Sequence, residues 1–134
     1  MNGIEEVLRS MTFEFFGSSG HKIPVEKLFE TEGAVLLDVR AHEEVKSVQL
    51  RLEHHVDVLH IPTDEVPDRL DEIPRDRPVG VFCSAGTRSA IVYAYLRSKG
   101  YDNVRVVLGG YEAVAALVLP GKLLKHIRAR RSGK

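Results

Sequence analysis

The sequence predicts an α/β domain with a central, mostly parallel sheet of about five strands and helices on both faces. Short apolar runs alternate along the chain with stretches of helical character, an order typical of parallel sheets. The apolar runs are nearly continuous, as expected of strands that are buried on both faces. A length of 134 residues suits one such domain and is short for two.

Four apolar runs predict individual strands of this sheet. The predicted strands cover residues 35–39, 56–60, 79–82 and 103–108. The run at 35–39 reads Val-Leu-Leu-Asp-Val, and the run at 79–82 reads Val-Gly-Val-Phe. Because the carboxyl ends of parallel strands share one edge, the residues that follow these runs are expected to meet there, at the edge where open α/β sheets bind ligands.

Helices are predicted between the strands and on either side of them. They cover residues 4–11, 25–30, 41–47, 64–73 with an interruption at Pro67, 89–99 and 111–117, and a basic helix follows at residues 122–131. The pattern is strongest at 89–99, where an apolar face is predicted from Ala90, Ile91, Ala94 and Tyr95 and is widened by Val92 and Leu96. Gly100 can end that helix.

The chain divides into three segments. Residues 1–20 form a lead-in, in which Phe13, Phe15 and Phe16 are expected to pack on the domain and residues 17–20 to form a flexible joint. The predicted domain covers residues 21–118. Residues 119–134 form a basic C-terminal helix or tail, which is expected to dock through its apolar positions and has nucleic-acid or partner binding as the alternative.

Composition narrows the class of protein. The formal net charge is zero, but residues 1–82 contain 17 acidic and 9 basic side chains, whereas residues 83–134 contain 2 and 10. The single cysteine precludes an internal disulfide and fits a reducing compartment. Neither a membrane span nor a secretion signal is visible, so we expect a cytoplasmic protein. His54, His55 and His60 lack metal-ligand spacing, and no metal or cofactor is predicted.

Cys83 is the candidate nucleophile. It follows the predicted strand at 79–82, and it precedes the small-residue loop Ser84-Ala85-Gly86-Thr87-Arg88-Ser89, where a helix begins. A strand, a tight turn and a helix would surround the sulfur with backbone N–H groups and the positive end of a helix dipole. That setting favours the thiolate, which is the reactive form of cysteine.

The spacing Cys-x-x-Gly-x-Arg suits a loop, residues 83–88, that curves around a small anion; we call this concave loop the bowl. Gly86 permits a backbone conformation that residues with a Cβ disfavour, and small neighbours leave the bowl shallow. Arg88 can add a positive charge at its edge, and reactive thiols occupy partly exposed, electropositive settings of this kind. An inert buried cysteine is the alternative. Asp38 and Arg40 are interpreted as structural, as a local cap or partner and as an ion-pair member.

Several segments resemble the rhodanese family of sulfurtransferases. They are Leu36-Leu37-Asp38-Val39-Arg40, His60-Ile61-Pro62 with Asp64-Glu65-Val66, the loop of residues 81–89, Gly100-Tyr101 and Leu108-Gly109-Gly110-Tyr111. The similarity covers roughly residues 21–118. The stretch at 53–58 departs from the family's usual Gly-His-Ile-x-Gly-Ala and retains its His at His54, and Val114 stands near the place of a usual aromatic residue.

The resemblance implies a sulfurtransferase that works through a persulfide on Cys83, with residues 84–89 cradling the persulfide. It implies a small anionic sulfur donor such as thiosulfate, and a thiol or a sulfur-carrier protein as acceptor, with cyanide as the acceptor in assays. Phosphatases and arsenate reductases of similar architecture are the first alternative, but their Cys-x5-Arg loops are one residue longer than the loop from Cys83 to Arg88. A non-enzymatic module that carries sulfur or docks a partner is the second.

Overall fold

The computed structural model describes residues 3–49, 52 and 55–117. Five strands form one sheet in the order β1-β5-β4-β2-β3, and every neighbouring pair is parallel. The strands are β1 (Lys22–Ile23), β2 (Val35–Asp38), β3 (Asp57–His60), β4 (Val79–Phe82) and β5 (Val104–Val107). The predicted fold class is therefore confirmed. The basic helix predicted at residues 122–131 lies outside the described residues.

Helices cover both faces of the sheet. They are α1 (Ile4–Ser10), α2 (Phe13–Ser18), α3 (Val25–Glu30), α4 (His42–Ser47), a 3₁₀ helix (Thr63–Glu72), α5 (Thr87–Ser98) and α6 (Gly110–Leu117). The 3₁₀ helix stands where an interrupted helix was predicted. Pro67 lacks a backbone N–H, and the backbone at Arg69 leaves helical geometry. No helix among the described residues has the length and apolar character needed to cross a membrane.

Successive residues of the central strands supply two separate hydrophobic cores. In β2, Leu37 packs with Val92 and Leu96 of α5 on one face, while Leu36 packs with Leu28 and other residues of α3 on the opposite face. Both leucines of β2 have no exposed surface. This two-sided burial explains why the run at 35–39 is apolar without alternation.

The N-terminal segment is folded onto the domain, but one prediction for it is wrong. Helix α1 packs against α5 through buried Val7. Phe15 packs against the core and stacks on His21 at a ring-centroid separation of 4.8 Å. Phe13 is 95% exposed, because it begins the short helix α2 on the side that faces away from the domain, and Phe16 is half exposed.

Two features near the start of the domain differ from the prediction. The expected flexible joint at 17–20 contains the end of α2, which closes at Ser19 in the left-handed region, with φ of 58°. Strand β1 was not predicted, because two residues are too few to show a periodic pattern. It is held at the sheet edge by β5, where Val106 N–H donates to the carbonyl of His21 and Leu108 N–H donates to the carbonyl of Ile23.

Candidate active site

The segments that follow β4 and β5 meet at the carboxyl edge of the sheet, as the topology requires. Cys83 comes directly after β4, and Gly110 begins α6 after β5. The backbone N–H of Tyr111 lies 3.4 Å from the carbonyl oxygen of Ser84, to which it donates. A Cβ at Gly110 would overlap that same carbonyl. The approach of these two segments therefore depends on glycine.

The loop from Ser84 to Ser89 surrounds the sulfur with hydrogen-bond donors. The backbone N–H of Gly86 donates to Cys83 Sγ over 3.0 Å, and the N–H of Ser89 donates over 3.3 Å. Ser89 Oγ lies 3.5 Å from the sulfur. Gly86 has φ of 101° and caps α5, which begins at Thr87, two residues before the predicted start. The left-handed conformation at Gly86 turns the chain so that these amides face the sulfur.

These donors favour the thiolate. Burial on its own would raise the pKa of Cys83, but hydrogen bonds from the Ser89 side chain and from the amides of Ser89, Ala85 and Gly86 outweigh it and lower the pKa. Hydrogen bonds to the charged form stabilise that form. The arrangement therefore supplies a chemically activated sulfur at the end of β4.

Cys83 is more enclosed than the sequence suggested. The residue as a whole is 2% exposed, because the loop that donates to its sulfur also covers it. The surrounding loop is open to solvent, since Ala85 and Thr87 are exposed, and Ser84, Gly86 and Arg88 are half-buried.

Arg88 is not an isolated charge at the edge of the bowl. Its guanidinium donates to both carboxylate oxygens of Glu44 over 2.6 and 2.9 Å, and to Ser84 Oγ over 2.9 Å. The hydrogen bond from Arg88, helped by one from the Ala41 amide, lowers the pKa of Glu44 to about 2. Glu44 was not predicted as a site residue. Its place on the helix that follows β2, at the same edge as Cys83, is the signal that could have pointed to it.

Asp38 and Arg40 form a buried ion pair, which agrees with the structural role expected for them. Arg40 Nη2 lies 2.7 Å from Asp38 Oδ2, and Nε donates to Oδ1 over 2.9 Å. The Arg40 residue has no exposed surface. Its Nη1 also donates to Tyr111 Oη over 2.6 Å and to the carbonyl of Val48 over 2.8 Å. Through Tyr111, the pair links the segment after β2 to the segment after β5.

Comparison with known proteins agrees with this fold. The profile of the family described as Rhodanese-like domain matches residues 24–117. The chain belongs to this family. A rhodanese-related protein from Thermoplasma volcanium has the same fold, with a TM-score of 0.63 and 26% sequence identity over 75% of this chain and 95% of its own.

Two relatives carry names that describe an activity. A sulfurtransferase from Allochromatium vinosum is 36% identical over 95 residues, which cover 71% of this chain and 84% of that protein. The thiosulfate sulfurtransferase GlpE from Actinobacillus succinogenes is 34% identical over 93 residues, which cover 69% and 79%. These similarities support an enzyme of the sulfurtransferase class.

Proposed function

We propose that this protein transfers sulfane sulfur from a donor such as thiosulfate to a nucleophilic acceptor through a persulfide on Cys83. The observation that carries the proposal is the pair of amide hydrogen bonds from Gly86 and Ser89 to the Cys83 sulfur. These amides stabilise the Cys83 thiolate. They can also stabilise the negative charge on the terminal sulfur of a Cys83 persulfide, which lies one atom further from the side chain. The names of the relatives support the choice of sulfur as the group transferred.

The first step forms the persulfide. The Cys83 thiolate attacks the outer sulfur of thiosulfate, a new S–S bond forms, and the original S–S bond breaks. Its electron pair leaves with sulfite, so that the thiolate and thiosulfate become a persulfide anion and sulfite. The hydrogen bonds to Cys83 lower its pKa and so increase the fraction present as thiolate, which is the form that attacks.

The second step returns the enzyme to its starting form. A nucleophile attacks the terminal sulfur, and the electron pair of the breaking S–S bond returns to Cys83 as thiolate. With cyanide the product is thiocyanate, and with a thiol or a sulfur-carrier protein it is a new persulfide or its equivalent. The exposed positions Ala85 and Thr87 leave the loop open for such an acceptor.

The loop residues Ser84, Ala85, Gly86, Thr87, Arg88 and Ser89 have complementary roles in this proposal. The amides of residues 85, 86 and 89 stabilise the sulfur anion, as they lower the pKa of Cys83. Arg88 donates hydrogen bonds to Ser84 and to Glu44, and these contacts stabilise the conformation of the loop. Thr87 begins α5, and its small side chain leaves room for a reagent to reach the sulfur.

A mass measurement tests the proposal. Thiosulfate should add one sulfur atom to the wild-type protein, cyanide should remove it as thiocyanate, and Cys83→Ser should gain none. A wild-type mass that stays unchanged with several sulfane donors would overturn the proposal. An aryl phosphate should not be turned over, and its hydrolysis with loss of activity in Cys83→Ser would support a phosphatase instead.

A further inference from the structure

The Arg40 guanidinium donates hydrogen bonds to Asp38, Val48 and Tyr111. The guanidinium is fully buried, and an arginine carries five N–H donors and no acceptor. Asp38 accepts from Nε and Nη2, while Nη1 donates to the carbonyl of Val48 and to Tyr111 Oη. The contact with Tyr111 is short, at 2.6 Å. The phenol oxygen is therefore held by a buried cation whose own position is fixed by Asp38.

The ring of Tyr111 is also fixed in orientation. It meets the ring of Phe82 edge-on at a centroid separation of 5.9 Å, and the Arg40 guanidinium lies 5.2 Å from the Tyr111 ring centroid. The Tyr111 backbone N–H donates to the carbonyl of Ser84, the residue that follows the nucleophile. Tyr111 thus lies between the buried ion pair and the catalytic loop, and it is half-buried there.

The contact with Arg40 leaves the Tyr111 hydroxyl hydrogen available for another acceptor. Because arginine cannot accept, the Tyr111 oxygen is the acceptor in the contact with Arg40, and its hydrogen has to be donated elsewhere. Within the described residues, no protein acceptor is found for that hydrogen. Tyr111 lies beside the loop of residues 84–89, because its backbone N–H donates to the carbonyl of Ser84 over 3.4 Å.

We propose that the Tyr111 hydroxyl donates a hydrogen bond to an oxygen of the bound sulfur donor, and that Tyr111 thereby selects donors that carry an oxyanion group next to the sulfur to be transferred. This inference rests on the proposed function and adds a residue that determines specificity. Arg40 is the positioning residue, because it orients the phenol without touching the substrate. Donors without oxygen, such as inorganic polysulfide, gain nothing from this hydroxyl.

The test compares Tyr111→Phe with the wild-type protein and with Tyr95→Phe, a matched loss of one hydroxyl from the middle of α5. Persulfide formation on Cys83 is followed by mass in single turnover, with thiosulfate and with inorganic polysulfide. Tyr111→Phe should lower the second-order rate constant with thiosulfate by about tenfold or more, as expected when a hydrogen bond to a charged acceptor is lost. The rate with polysulfide and the pH profile of Cys83 alkylation should not change.

The remaining outcomes would overturn either the role of Tyr111 or the proposed function. An unchanged rate with thiosulfate, or an equal loss with both donors, would overturn the role of Tyr111, because the first shows no contact and the second shows damage to the loop. Wild-type protein that forms no persulfide with either donor would overturn the proposed function itself.

A second measurement does not depend on the folding of Tyr111→Phe. Wild-type protein labelled with ¹³C at tyrosine Cζ contains four tyrosines, and Phe variants at the other three assign the Tyr111 signal by elimination. Addition of sulfite, the product that carries the oxyanion group, should shift the Tyr111 signal. A signal that stays fixed at sulfite concentrations that inhibit the thiosulfate reaction would contradict the proposal.

Discussion

Arg88 of α5 and Glu44 of α4 are joined by two parallel hydrogen bonds of 2.6 and 2.9 Å. The contact connects residues 44 positions apart, so the segment after β2 supports the segment after β4. A paired Arg88 contributes less net charge to the site than the sequence suggested. It contributes more to the shape of the loop, because Ser84 is held by the same guanidinium.

Loss of the Glu44 carboxylate should weaken the fold in a pH-dependent way. Glu44→Gln should lower the free energy of unfolding at pH 7 by about 1 kcal/mol, a value limited by the partial exposure of both side chains. The pKa of Glu44 is lowered from 4.5 to about 2 in the folded protein, so its contribution is complete above pH 4.5 and disappears as the pH falls through about 2. Urea unfolding across this range measures the difference. Glu43→Gln, next in sequence, should show little change, and an equal effect in both variants would contradict the assignment.

Removal of the Ser89 hydroxyl should make the Cys83 thiol harder to ionise. The Ser89 side chain is the strongest of the groups that lower the pKa of Cys83, after burial has raised it. In Ser89→Ala the pKa of Cys83 should rise. When the pH is lowered, the variant should therefore lose its thiolate at a higher pH than the wild-type protein does. The midpoint of iodoacetamide alkylation against pH measures this shift.

The control for this experiment lies on the same helix. Ser98 donates to a carbonyl at the other end of α5, so Ser98→Ala should leave the alkylation profile unchanged. A profile that is the same in Ser89→Ala and the wild-type protein would show that the amides of the loop set the pKa without the hydroxyl.

A side chain at Gly110 should separate the two segments that form the site. Gly110 has φ of 55°, and its Cβ would overlap the carbonyl of Ser84. Gly110→Ala should therefore slow persulfide formation strongly and lower the free energy of unfolding by more than about 1 kcal/mol. Single-turnover mass analysis and urea unfolding measure the two effects. Gly17→Ala, where nothing lies within 4 Å, should change neither, and an active Gly110→Ala would show that the close approach is unnecessary.

The main strands could be predicted because their sequence patterns are local. Strand β4 was predicted with its observed bounds, and the run at 35–39 extends one residue beyond β2, since continuous apolar burial leaves a visible pattern. The loop from Cys83 to Ser89 was recognisable for a similar reason. Its glycine is favoured by the backbone itself, as φ of 101° at Gly86 shows.

The partners of the loop could not be predicted in the same way. Glu44 and Tyr111 meet Arg88 and Arg40 through contacts between distant segments, and their partners depend on side-chain geometry that no local pattern encodes. Strand β1 is too short for periodicity, and only its pairing with β5 defines it. The exposure of Phe13 likewise depends on how α2 docks, because hydrophobicity alone favours burial.

The buried pair of Asp38 and Arg40 should be the most sensitive electrostatic contact of the described fold. Asp38→Asn would leave a guanidinium with no exposed surface and no charged partner, at a cost of about 3–5 kcal/mol in the free energy of unfolding. Asp57→Asn removes the partner of Arg77 in an exposed pair of similar length, at a cost of at most about 1 kcal/mol. Urea unfolding of both variants measures the contrast. Equal losses would show that Arg40 is compensated by Val48 and Tyr111, because those two acceptors are the ones that Asp38→Asn leaves in place.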